Sequence, residues 1–89
     1  MRIWHMKPRT KHRLLYTNRP SFDERLSAFR DAFLSGGYEE VGRSTGPDRG
    51  DARLHIEGKR PTEAGDIISD GNHLWKVERD GETYLGEWG

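Results

Sequence analysis

The sequence predicts one α+β domain over residues 1–89, in which a single amphipathic helix packs on an antiparallel sheet. Three observations predict this class: a capped helix with an apolar stripe, short segments that alternate apolar and polar residues, and an Asp-Gly dipeptide between two such segments. The expected element order is β-β-α-β-β-β-β-β, and the last strands form a C-terminal meander.

The helix is expected at residues 22–35. Ser21 is a suitable N-cap, and Glu24 follows three residues later, which is the spacing of a capping box. Gly36 can adopt the left-handed conformation that ends many helices. Apolar residues recur at helical spacing and should form one buried stripe: Phe22, Leu26, Phe29 and Phe33.

Strands are expected on both sides of this helix, because apolar and polar residues alternate there. Before the helix they lie at Arg2–Lys7 and Arg13–Asn18, joined by a connection that contains Pro8. After the helix, strands are expected at 38–44 and 53–57. The Gly- and Pro-containing stretch between these two strands has the composition of a loop.

The C-terminal meander is expected to contain strands at 66–69, 73–79 and 83–88. Asp80-Gly81 predicts a two-residue type I′ turn, because Gly tolerates the positive φ that this turn requires. Such a turn would set Arg79 opposite Glu82, Val77 opposite Tyr84, Trp75 opposite Gly86, and His73 opposite Trp88. One face of the hairpin would then carry Trp75, Val77, Tyr84 and Trp88.

Composition indicates a folded domain that is stabilised by apolar burial alone. The 89 residues include no Cys, so neither a disulfide nor a thiolate zinc site can contribute. Only 31% of the residues are hydrophobic, but three Trp, three Tyr and three Phe can fill a small core. No run is apolar enough to cross a membrane or to resemble a secretory signal, which predicts a cytoplasmic protein.

Few residue patterns in the chain are typical of catalysis, and we expect no catalytic residue, no metal and no cofactor. No Ser lies in a nucleophile elbow, and the glycine pair at 36–37 ends a helix instead of beginning one. The four His are expected on the surface. Two groups near turns contain ligand-type residues without metal-specific spacing: Asp66, Asp70 and His73, and Asp48, Asp51 and His55.

Charge is strongly segregated along the chain, although its net charge is zero. Residues 1–20 contain six basic and no acidic side chains, and residues 61–89 contain two basic and seven acidic ones. The basic segment could bind nucleic acid, or it could lie beside the acidic meander and pair with it. Overall neutrality favours the second interpretation. The predicted partner-binding residues are Arg9, Lys11 and Arg13 at the basic end, and Glu78, Asp80 and Glu82 in the acidic hairpin.

The segment from Arg60 to Val77 resembles the end of YodL-like domains, which occur in small proteins of phages, plasmids and other mobile elements. The similar pattern is an Arg, then Gly-Asp and two aliphatic residues, then Asp-Gly, then an aromatic residue and Val. Residues 16–18 and 36–42 are also similar. The sequence departs from the pattern at residues 62–64, where the family has small hydroxyl residues. The resemblance covers roughly a third of the chain, and it implies an accessory protein of a mobile element without assigning a catalytic residue.

These observations predict a non-enzymatic protein that binds a host-encoded or element-encoded protein. Charge polarity would steer such docking. The alternative is a nucleic-acid-binding module that uses residues 2–19. A small ribonuclease of the toxin type is a third interpretation, and a homodimer is compatible with the segregated charge.

Overall fold

The computed structural model describes residues 1–16, 21–43 and 60–88 of the chain. Within these ranges lie two helices and a five-stranded sheet. In chain order the elements are β1 (Arg2–Met6), α1 (Pro8–Tyr16), α2 (Phe22–Leu34), β2 (Tyr38–Arg43), β3 (Ile67–Ser69), β4 (His73–Glu78) and β5 (Gly81–Glu87).

The sheet has the strand order β2-β1-β3-β4-β5, and every neighbouring pair is antiparallel. The predicted α+β class and the C-terminal meander are therefore confirmed. Helix α2 packs on one face of the sheet, which we call the helix face; its residues include Trp4, Ile67 and Leu74. The opposite face, which we call the outer face, includes Ile68 and Val77.

Helix α2 begins at the predicted residue and ends at Leu34, one residue before the predicted end, with Ser35 as its C-cap. The Ser21 hydroxyl accepts a hydrogen bond from the Glu24 amide at 3.1 Å, and Gly36 follows the helix with a φ of 87°. Phe29 and Phe33 are buried as predicted, whereas Leu26 is half-buried. The side chain of Phe22 lies outside the described part of the chain.

The predicted strand Arg13–Asn18 is wrong, because residues 8–16 form helix α1. Pro8 occupies the first helical position, where its missing N–H costs nothing. Thr10 is buried and Leu14 is half-buried, and this four-residue spacing places both on the side of α1 that faces the protein. The alternation of Leu14 with Tyr16 was therefore not the pattern that determined the local structure. Asn18 and the predicted strand 53–57 lie outside the described residues, as does the loop before that strand.

The β4–β5 register also differs from the prediction. Trp75 pairs with Tyr84, Val77 with Glu82, and Glu78 with Gly81, so the turn is formed by residues 79–80. Among described residues only glycines have positive φ, and Gly81 is not one of them, so the connection is not a type I′ turn. A bulge then shifts the pairing, which sets Gly86 opposite Leu74, Glu87 opposite His73, and turns Trp88 to the helix face.

Candidate partner-binding surfaces

The predicted basic residues Arg9, Lys11 and Arg13 all lie on α1, and all three are exposed. The helix contains no acidic residue. The Lys11 ammonium lies 2.8 Å from a Glu63 carboxylate oxygen, so this cation already pairs with the acidic third of the chain. The structure thus brings the three cations onto one short helix. One of them, Lys11, forms an ion pair with the acidic C-terminal third of the chain, as the interpretation based on the overall neutral charge expects.

The predicted acidic residues do not form one surface. Glu78 lies on the helix face, where its carboxylate is 2.8 Å from the Lys76 ammonium and accepts a hydrogen bond from the Thr83 hydroxyl. Glu82 pairs with Val77 and therefore lies on the outer face, while Asp80 lies at the exposed turn. Glu78 is consequently part of the hairpin's own packing, and Asp80 and Glu82 are presented outward.

Arg2, the first cation of the basic segment, is used inside the fold. It donates two hydrogen bonds to the Glu40 carboxylate at 3.0 and 2.8 Å, and these raise the pKa of Arg2 and lower the pKa of Glu40. Its guanidinium also lies over the rings of Trp4 and Trp88, 5.4 and 5.0 Å from their centroids. Arg2 therefore joins β1 to β2 and to the residue after β5.

Asp66 is the centre of a buried polar cluster that the sequence interpretation missed. Its side chain is fully buried, and its carboxylate accepts two hydrogen bonds from Arg60 at 2.7 Å and two from the backbone amides of Met6 and Glu63, each at 2.9 Å. Four donors satisfy both oxygens of an ionised carboxylate. This arrangement ties the segment before β3 to the end of β1, which is a structural role.

Two further polar side chains complete this cluster. His5 is only 5% exposed, so its expected surface position is wrong; its Nε2 lies 3.0 Å from the Thr62 hydroxyl and 3.9 Å from Asp66. Burial lowers the pKa of His5, although Asp66 opposes this effect. The Tyr38 hydroxyl donates to the Gly65 carbonyl at 2.6 Å, and burial raises the pKa of that hydroxyl above its usual range. The cluster holds its groups in hydrogen bonds instead of exposing them to a substrate.

An aromatic group on the outer face of the hairpin is the second feature that the sequence interpretation missed. His73, Trp75 and Tyr84 lie with ring centroids 5.8 to 5.9 Å apart, and the His73 Nδ1 is 2.9 Å from the Tyr84 hydroxyl. Tyr84 is 49% exposed. The sequence predicts Trp75 and Tyr84 on one face, but in the predicted register they are not directly opposite each other. In the observed register they form a cross-strand pair, so their rings are in direct contact.

Asp66 and Asp70, two members of the first candidate metal group, already accept hydrogen bonds from protein donors. The Asp66 carboxylate accepts hydrogen bonds from Arg60 and from two backbone amides. The Asp70 carboxylate accepts hydrogen bonds from the amides of Asn72 and His73 at 2.8 Å, and these lower the pKa of Asp70. Among the residues that the structure describes, no group of three ligand-type side chains is arranged to hold a metal. The second candidate group, Asp48, Asp51 and His55, lies outside those residues.

No protein-family model, curated protein or solved structure matches this chain. The YodL-like resemblance therefore stays an interpretation, and the structure gives its main residues a physical role: Arg60 and Asp66 bind each other across the segment before β3. None of the helices in the described ranges is long and apolar enough to cross a membrane.

Proposed function

We propose that this chain is a small non-enzymatic accessory protein of phage or mobile-element origin, which acts in the host cytoplasm by binding a host-encoded or element-encoded protein. The observation that carries the proposal is the exposed surface of the β4–β5 hairpin. Tyr84 is half-exposed there, Glu82 and Glu87 lie on the same face of β5, and Asp80 lies in the exposed turn before this strand. An exposed aromatic ring among charges is typical of a protein-binding surface, because the ring supplies apolar contact and the charges supply specificity.

Nucleic-acid binding through the basic segment is supported less well. Such binding depends on cations that are available to neutralise phosphates. Arg2 already pairs with Glu40, and Lys11 already pairs with Glu63, so at least two of the described cations of the basic segment are engaged within the fold. The acidic hairpin would in addition repel a phosphate backbone.

One observation nevertheless favours nucleic acid as a second candidate. A depression beside the first turn of α1 is lined by three cations, Lys7, Arg9 and Arg13. The free backbone amides at this end of the helix also carry partial positive charge, so both sources of potential would attract a phosphate. If this depression binds duplex, affinity should fall with salt at a slope of about 0.9 per phosphate contacted, and replacing Arg9, Lys11 and Arg13 together by Gln should flatten that slope. We expect no binding to random duplex at physiological salt, and micromolar binding that the triple change abolishes would reverse the ranking.

Affinity capture tests the proposed function. The tagged chain is incubated with host lysate, with and without nuclease, beside a hairpin variant (Glu82→Gln with Glu87→Gln) and the α1 triple variant. We expect a captured protein that survives nuclease, is reduced by the hairpin variant and is retained by the triple variant. Capture that nuclease removes, or that only the triple variant reduces, would contradict binding through the hairpin.

A further inference from the structure

We propose that β5 binds an extended, basic segment of the partner protein as an added antiparallel or parallel strand, so that the sheet continues across the interface. This inference rests on the proposed function and names the kind of partner that the hairpin takes. Three features of the hairpin carry it: the position of β5 in the sheet, the direction of its backbone groups, and the side chains on its outer face.

In the sheet formed by residues 1–16, 21–43 and 60–88, strand β5 lies at one edge. The Val77 amide donates to the Asp66 carbonyl and the Val77 carbonyl accepts from the Gly65 amide, at 2.7 and 2.8 Å, so both polar groups of Val77 point away from β5. The residue opposite, Glu82, is therefore in a non-hydrogen-bonded pair, and its own N–H and C=O point away from β4. Tyr84 lies two residues further along β5, opposite Trp75, so its N–H and C=O also point away from β4. The edge thus presents the backbone donors and acceptors of Glu82 and Tyr84 to an incoming strand, whereas the Glu87 carbonyl already accepts a hydrogen bond from Arg30 of α2 at 2.9 Å.

The outer-face side chains of β5 are Glu82, Tyr84 and Glu87, which pair with the outer-face residues Val77, Trp75 and His73 of β4. An acid therefore stands on each side of the half-exposed tyrosine. The strand contains no basic residue and no proline, and its bulge lies after Tyr84, so the Gly81–Tyr84 part of the edge has none of these three devices that block strand addition. The other edge strand, β2, has mixed charge, because Arg43 lies 3.5 Å from Glu40.

This pattern specifies the chemistry of the incoming strand. Side chains on one face of a strand recur at every second residue, so Lys or Arg at alternate positions would meet Glu82, the Tyr84 ring and Glu87 together. Arg can contact an aromatic face as well as a carboxylate, so it suits the central position. The expected ligand is an extended segment with Arg or Lys at every second residue and β-branched residues between them.

A second copy of this chain fits the edge less well. Its β5 strand would bring two more glutamates to the same interface. Its basic residues Arg9, Lys11 and Arg13 lie on helix α1 and are not extended. A heterologous partner with an extended basic segment is therefore the favoured occupant.

The test is a fluorescence-anisotropy titration with synthetic peptides that match β5 in length. One peptide alternates Arg with Val or Thr, and a control of the same composition places all Arg in one block. We expect the alternating peptide to bind at least tenfold more tightly. The variants Glu82→Gln and Glu87→Gln should each weaken binding about two- to fivefold, whereas Glu39→Gln, an exposed glutamate of β2, should leave it unchanged.

Backbone participation is tested separately. Glu82→Pro removes an outward N–H without removing a β4 hydrogen bond, so it should abolish binding well beyond the effect of Glu82→Gln while the thermal melt is retained. Two peptides that are N-methylated at alternate residues, one at the odd and one at the even positions, test backbone hydrogen bonding without relying on the proline variant. The peptide whose methylated amides point away from β5 should bind, and the peptide whose methylated amides point toward β5 should not. Equal binding of the two N-methylated peptides, or of the alternating and block peptides, would overturn the inference.

The outcomes also separate this inference from the proposed function. Capture from lysate that persists in Glu82→Pro would leave protein binding intact and reject strand addition at β5. A concentration-dependent dimer that Glu82→Pro disrupts would show that a second copy occupies the edge, and it would also reject the basic-partner inference.

Discussion

Replacing Asp66 by Asn should destabilise the fold more than any exposed substitution, because the carboxylate is fully buried and accepts four hydrogen bonds. Asparagine retains one acceptor oxygen and turns an NH₂ group toward donors of Arg60 or the backbone. Removing one partner of a fully buried ion pair costs about 3–5 kcal/mol; because Arg60 is 35% exposed, we expect the lower end of this range. A domain of 89 residues has about 5–13 kcal/mol of stability in total, so Asp66→Asn should remove a large part of it.

Urea denaturation followed by tryptophan fluorescence measures this effect. Asp70→Asn is the matched control, because that exposed carboxylate accepts two amide hydrogen bonds in a turn where Asn can do the same. A double-mutant cycle with Arg60→Gln isolates the ion pair, and we expect strong coupling between positions 60 and 66. An Asp66→Asn midpoint within error of the wild type, or additive effects in the cycle, would refute the structural role of the pair.

Three further predictions concern the packing and the titration of the core. Phe29→Ala should cost about 3–5 kcal/mol in a urea titration, because Phe29 is buried in the main cluster; a melt within a few degrees of wild type would mean that the helix stripe faces elsewhere. Gly37→Ala should cost about 1–3 kcal/mol, because its Cβ would lie 2.6 Å from the Thr10 hydroxyl, whereas Gly81→Ala has open space and should be nearly neutral in the same assay. His5 has a lowered pKa in the folded state, so the folded chain binds fewer protons and stability should fall as pH drops below the unfolded value of about 6.5, by up to about 1.4 kcal/mol per pH unit. His5→Gln should flatten that dependence, and an unchanged slope would show that another group titrates.

The parts of the fold that could be predicted are those that short-range rules determine. Helix α2 was predicted because its cap, its apolar stripe and its terminal glycine are all local signals. Helix α1 was missed because its local signals conflict: it has no acidic residue in its first turn, and Leu14 and Tyr16 alternate like a strand. Its position depends on Thr10 packing against Gly37, a contact that no local pattern reveals.

The candidate surfaces could be predicted in part. The charged sets were found from composition, but composition does not assign faces: Glu78 follows Val77 by one residue and therefore lies on the face opposite to Val77 and Glu82. The buried cluster was missed because Arg60 and Asp66 become partners only when the segment before β3 folds back on itself. Burial of His5 depends on β3 and β2 flanking β1, which sequence periodicity does not specify.

The bulge in β5 has an evolutionary consequence. By placing one extra residue opposite β4, it lets Leu85 and Trp88 both face the helix side while Tyr84 stays outside. The bulge thus separates Leu85 and Trp88, which pack against the core, from Glu82, Tyr84 and Glu87, the residues of the proposed binding surface. Under the proposed function, a change of partner could therefore substitute the second set with little penalty in folding, provided that the bulge keeps the two sets on separate faces.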